Sequence, residues 1–205
     1  MRIAVINEVS ARDKNPFICA ALESAGQQVH NIGMRETGDE PELTYIHTGL
    51  MAALSLASGA ADFVVGGCGT GQGFLLSAMQ YPGVFCGLIT NALDAFLFSQ
   101  INAGNCVSLA LNKGFGWAGD IDLRYIFEKL FSEQPGKGYP PHRSDSQRQS
   151  RETLQRINAL AHRDMAAIAR AIDPALLERV RGHQAFTEFI AAYGEDGELK
   201  SVVLG

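Results

Sequence analysis

Apolar positions along the first 131 residues follow two alternating rhythms. Short, continuously apolar runs rich in β-branched residues predict strands at Ile3–Ile6, Gln28–Ile32, Phe63–Val65, Val84–Ile89 and Cys106–Leu111. Between them the spacing is helical. Pro16–Ala25 is opened by proline and closed by Gly26, and Tyr45–Ser58 ends at Gly59. Phe74–Met79, Ala92–Ile101 and Asp120–Phe131 complete the set. Strands apolar at every position are buried on both faces, so the alternation predicts an α/β fold. Its form is a three-layer α/β/α sandwich around a five-stranded parallel sheet, Rossmann-like in layout.

The pattern changes after Phe131. A Gly/Pro-rich loop, Pro135 to Pro141, leads into a polar helix from Ser146 to about Arg170. Asp173-Pro174 starts another helix with an Asp cap, and His183–Tyr193 is helical. Glu195–Lys200 reads as an acidic turn before a short apolar tail. Ala167, Ile168, Ile172, Leu176, Leu177 and Val180 recur at helical spacing and are expected to pack on the core or on a second copy. The chain therefore divides into an α/β domain over 1–145 and a C-terminal helical extension over 146–205.

Charge sharpens this picture. The chain has 205 residues and a net charge of −5, yet the stretch from Phe63 to Asn112 holds a single charged residue, Asp94. Such a stretch either crosses a membrane or is buried. Gly66, Gly67, Gly69, Gly71 and Gly73 interrupt it, so no apolar run of about 18 residues survives, and burial is predicted. A pI near 5.5 argues against nucleic acid as a partner. The N-terminus lacks the pattern of a secretory signal. The four cysteines contain no C-x-x-C pair, which argues against a zinc site and a disulfide framework and for reduced cytoplasm. Against the acidic whole, Gln134–Arg163 carries Lys137, Arg143, Arg148, Arg151, Arg156 and Arg163 with only Asp145 and Glu152. This is either a solvated helix face or an anion clamp.

Candidate chemistry concentrates in Gly66-Gly67-Cys68-Gly69-Thr70-Gly71-Gln72-Gly73, between the third strand and a helix. Glycines let backbone N–H groups converge there, and a following helix adds its positive end. The spacing excludes G-x-G-x-x-G, and no lysine supplies a P-loop. Converging amides also favour thiolate at Cys68.

Cys68-Gly69-Thr70-Gly71-Gln72-Gly73 resembles, without a gap, the Cys-Gly-Thr-Gly-x-Gly loop of the ribose-5-phosphate isomerase type B and galactose-6-phosphate isomerase family. Tyr45-Ile46-His47 matches part of a Tyr-Pro-x-Tyr-Ala element. The resemblance implies metal-free, cofactor-free aldose–ketose isomerisation of a sugar phosphate, in a homodimer or tetramer with active sites at the interface and no membrane association. It casts Cys68 as the base moving a proton through a cis-enediolate, and Thr70 as a contact to the sugar oxygens. Tyr45, His47, Gly69, Gly71, Gly73 and Asn102 become substrate-binding candidates. The amides of Gly69 to Gly73 become oxyanion donors, and Arg143, Arg148 or Arg151 the phosphate clamp.

The sequence departs from that family at chemically important points. Asn7-Glu8 stands where Asp-His is the rule, which makes Asn7 a binding and Glu8 a catalytic candidate. The ring-opening His-Asn pair falls on Ile101-Asn102, and no histidine lies between His47 and His142. Three consequences stand open: Glu8 or His47 opens the ring, the substrate arrives open-chain, or the protein binds sugar phosphates without turning them over.

Overall fold

The computed structural model describes all residues, Met1–Gly205. Five strands, β1 (Arg2–Asn7), β2 (Gln28–Asn31), β3 (Phe63–Cys68), β4 (Cys86–Ile89) and β5 (Cys106–Ala110), form one sheet in the order β2-β1-β3-β5-β4. All four pairings are parallel. Helices cover both faces. On one lie α1 (Asn15–Ser24), α4 (Ala92–Leu97) and α5 (Gly119–Phe131); on the other lie α2 (Tyr45–Ala57) and α3 (Gln72–Ala78). Each face has its own apolar core. Ile3, Val5, Val65 and Val107 pack with Ile18, Leu22 and Phe127, whereas Ala4, Ile6, Val64 and Cys106 pack with Leu50, Leu54 and Phe74. The missing charges are thus explained: β3 and β5 are central, and an ion there would be desolvated on both sides.

β3 runs further than its apolar residues. Gly66 and Gly67, read as loop, are paired with Ser108 and Leu109 of β5. Glycine is required at 66 because the Phe74 ring lies on the strand there; a Cβ would meet it at 2.1 Å. The strand therefore carries Cys68 to the very edge of the sheet.

The C-terminal region differs from the expected long helix. α6 (Ser144–Ala161) ends at His162, and α7 (Met165–Ala171) begins anew, because the Asp164 side chain accepts the amides of Ala166 and Ala167. α8 (Pro174–Arg181) and α9 (Gln184–Tyr193) follow. The apolar tail is itself helical, α10 (Glu198–Leu204), and buries Val203. Met165, Leu177, Val180, Phe186, Ile190 and Val203 join the α2 side of the core. α6 contributes no buried residue. It is tethered at a few points, notably Arg151, whose guanidinium donates to the carbonyls of Ile101 and Gly136 at 2.9 and 3.0 Å. No helix is long and apolar enough to cross a membrane.

Candidate active site

The chain leaves β3 toward the α2 side, into α3, but leaves β1 and β5 toward the α1 side. Neighbouring strands whose connections part in opposite directions open a crevice at their C-terminal ends, where ligands of such sheets bind. Cys68 sits in this crevice, 6% exposed. Its Sγ lies 4.0 Å from the Thr70 hydroxyl, and Thr70 itself is exposed. Gly71 takes the left-handed conformation, φ 75°, that turns the chain into α3, and its carbonyl is held by the Ser108 hydroxyl at 2.6 Å.

The loop amides divide into spent and free. Gly69 N–H donates to Ser10 Oγ at 3.1 Å, Gly71 N–H to the Cys68 carbonyl at 3.2 Å and Gln72 N–H to Thr70 Oγ1 at 3.3 Å. The N–H groups of Thr70 and Gly73 have no protein partner. These two, rather than the whole run from Gly69 to Gly73, are available to an oxyanion. The Tyr45 ring lies against Gly73, where a Cβ would meet it at 2.8 Å, so Tyr45 walls the loop.

Glu8 follows the last β1–β3 pair, Asn7↔Gly67, and is buried beside the loop at 3% exposure. Asn7 is engaged elsewhere. Its side chain donates to the Ala11 carbonyl at 3.1 Å and accepts from Asn15 of α1 at 2.9 Å. His47 closes a capping box: its Nδ1 accepts the Thr44 N–H at 3.0 Å. The neutral ring therefore carries its proton on Nε2.

Asn102 and the arginines lie apart from Cys68. A π-helical turn, Phe98–Asn102, follows α4 and delivers Asn102 to the N-terminal edge of the sheet, just before β5. Cys68 pairs with Ala110 at the other end of β5, about 13 Å away at the usual rise per residue. Asn102 and Arg151 line one small cavity of about 240 Å³ with Gly136. Arg148 is bound between Asp145 and Glu152, and Arg143 contacts Ser146. A single chain does not bring this set to the cysteine loop.

Of the other thiols, burial, aided by Glu23, pushes Cys19 up to about 11, and burial with the Cys86 thiol pushes Cys106 well above its ordinary value. Neither ionises near neutrality. Burial also lowers His30, His47 and His183, with Arg179 adding to the effect at His47. The sign follows directly. Below pH 6.5 the unfolded chain binds protons that these folded imidazoles resist, so stability falls as pH drops through that value. Protonating His47 on Nδ1 also removes the acceptor for Thr44. His47→Gln retains a capping-box residue without the titration. Its melting temperature is expected to match wild type at pH 7.5 and to fall less between pH 7 and 5; identical pH profiles would contradict this.

A five-stranded parallel sheet covered on both faces, with a glycine-caged cysteine at the C-terminal end of its central strand, is a Rossmann-like α/β layout with its crevice where ligands of such sheets bind. The chain belongs to the ribose/galactose isomerase family, whose model matches residues 3–123. A solved ribose-5-phosphate isomerase from Vibrio parahaemolyticus is 44% identical, with a TM-score of 0.95 over 99% of this chain and 97% of that one. A 4-deoxy-L-threo-5-hexosulose-uronate ketol-isomerase, solved with tartrate, is 39% identical, with a TM-score of 0.95 over 99% of both chains. The type B ribose 5-phosphate isomerase of Leishmania infantum shares the fold at 18% identity and a TM-score of 0.66, over 78% of this chain. No curated protein matches the sequence.

Proposed function

We propose that this protein is an aldose–ketose isomerase with Cys68 as base, acting on an open-chain keto-uronate. The chemistry begins when the Cys68 thiolate removes a proton from the carbon beside a carbonyl. An enediolate then develops within reach of the free amides of Thr70 and Gly73, with the Thr70 hydroxyl at its side. Returning the proton to the adjacent carbon completes the isomerisation.

Ile101 is the observation that favours an open chain. Ring opening requires an acid or base at the ring oxygen, and an isoleucine offers neither. A 4-deoxy-5-hexosulose uronate, the substrate class in the name of the 39% identical relative, has no hydroxyl on C4 or C5 to close a furanose or pyranose ring on C1. Loss of the histidine is harmless for such a compound. The guanidinium of Arg151 is also committed to backbone carbonyls, and that of Arg148 to two carboxylates, which speaks against a preformed phosphate clamp. The 44% identical ribose-5-phosphate isomerase supports the second reading, a sugar phosphate. Assaying both classes decides between them. The expected kcat/KM for 4-deoxy-L-threo-5-hexosulose uronate exceeds that for ribose 5-phosphate by about 10²-fold or more, the scale of a missing acid–base catalyst. The reverse preference would reject the keto-uronate.

The working unit in this proposal is a homodimer, with the site completed across the interface. Leu154, Ile157 and Leu160 stand exposed on α6, the last at 88%, while Ile46, Leu76 and Met79 are exposed on the α2–α3 face of the body. Apolar patches of this kind mark association surfaces. A second copy would bring its Asn102 and arginines to the Cys68 loop.

A further inference from the structure

We infer that Ser10 is the positioning residue for proton transfer at the substrate oxygens, acting through Glu8. This rests on the isomerase reading above and extends it to a residue outside the glycine loop. Ser10 Oγ donates a hydrogen bond to Glu8 Oε1, the only bond that carboxyl group makes, and Glu8 enters no salt bridge. Oε2 has no protein partner and is not sealed from solvent, although the residue as a whole is buried. The same Ser10 oxygen accepts the Gly69 N–H at 3.1 Å. Asn112 completes the arrangement by donating its side-chain amide to the Ser10 carbonyl at 2.6 Å and its N–H to the Gly69 carbonyl at 3.0 Å. Loops after β1, β3 and β5 are thereby joined around the residue that follows Cys68. A Cβ on Gly69 would stand 3.3 Å from Ser10 Oγ and 3.2 Å from Asn112 Nδ2, so serine and cysteine loop meet at close range.

Isomerisation needs this second acid–base group. Moving a carbon-bound proton from C2 to C1 also requires that the carbonyl oxygen on C1 gain a proton and the hydroxyl on C2 lose one. With Cys68 as the carbon base and Glu8 as the shuttle between the two oxygens, the balance closes. The Cys68 thiolate takes the C2 proton, leaving an enediolate with its charge on the C1 oxygen. Glu8 carries the C2 hydroxyl proton to that oxygen, moving the charge to the C2 oxygen, and the Cys68 thiol returns its proton to C1, so both groups end as they began. By fixing Oε1, Ser10 leaves Oε2 as the oxygen that faces substrate.

The test is a double-mutant cycle with Ser10→Ala, Glu8→Gln and the pair, plus Ser10→Thr, each checked for an unaltered melting transition. Ser10→Ala is expected to lower kcat about 10²-fold with KM within about twofold. In the Glu8→Gln background it should change kcat little, because the route through Glu8 is already lost. Ser10→Thr, which keeps the hydroxyl, should recover most of the rate. Unchanged kcat in Ser10→Ala, or losses that multiply in the pair, would overturn the assignment while leaving the isomerase standing. A wild type that exchanges no carbon-bound hydrogen with solvent in the presence of either sugar class would overturn both.

Discussion

Replacing Cys68 with alanine is expected to lower kcat by about 10³-fold or more while leaving the fold intact. The magnitude is that of removing the group that takes the proton in the transition state. The fold should tolerate the change. Cys68 ends a strand at the sheet edge, its Sγ makes one long contact to Thr70, and its backbone carbonyl, which accepts from Gly71 and Leu111, is untouched. Removing one sulfur from a largely buried position costs stability on the order of 1–2 kcal/mol, within the range of ordinary substitutions. Circular dichroism and melting should therefore be near normal in a variant with almost no turnover. A Cys68→Ala protein retaining more than a tenth of wild-type kcat would remove the thiol from the chemistry.

Breaking the proposed dimer is the other change with a large expected effect. Ile157→Glu with Leu160→Glu places two carboxylates on the exposed apolar stripe of α6, three residues apart on a helix none of whose own residues is buried. An 18-residue helix without a buried residue draws little from its own body, and such a helix is marginal in water. Burying Leu154, Ile157 and Leu160 against a second copy would supply what is missing, at about 1.5–3 kcal/mol for each leucine or isoleucine fully covered. By sedimentation, wild type should run at twice the 22.1 kDa chain mass or more, and the double variant at the chain mass. Activity should fall by about 10²-fold or more, because in the proposed dimer it is a second copy that completes the site with its Asn102 and arginines. A monomeric variant with full activity would contradict a shared site, and a monomeric, active wild type would contradict the dimer.

Much of this architecture is legible in the residues, for identifiable reasons. Five continuously apolar runs announce strands covered on both faces, and the uncharged stretch from Phe63 to Asn112 holds the internal strands β3 and β5, although it also includes β4, which lies at the edge of the sheet. The glycine loop declares itself through spacing alone. What escapes depends on tertiary contact or on a single side chain. Gly66 and Gly67 read as loop because glycine is a poor strand former, yet the Phe74 ring occupies the space a side chain would take at Gly66 and the Leu109 backbone that at Gly67. The break before α7 turns on one capping aspartate, Asp164, inside a run of good helix formers. α10 is too short to register by periodicity and exists because Val203 has a core to join.

The site divides in the same way. Cys68 and Thr70 are visible in the sequence as a motif, whereas Ser10 is one serine after a strand. Only the β1–β3 register, Asn7↔Gly67, brings it beside Gly69. His47 carried a signal that explains it differently, since Thr44-x-x-His47 is a capping-box spacing. Asn7, adjacent to a catalytic candidate in sequence, points to α1, because successive strand residues face opposite sides of the sheet.

The most direct measurement is solvent deuterium incorporation, followed by proton NMR during turnover of 4-deoxy-L-threo-5-hexosulose uronate in deuterated water. Wild type is expected to place deuterium on the carbon that receives the proton, through exchange of the Cys68 thiol, and Cys68→Ala to place none. Incorporation by Cys68→Ala at the wild-type rate, or isomerisation by wild type with no incorporation at all, would contradict a cysteine base working through an enediolate.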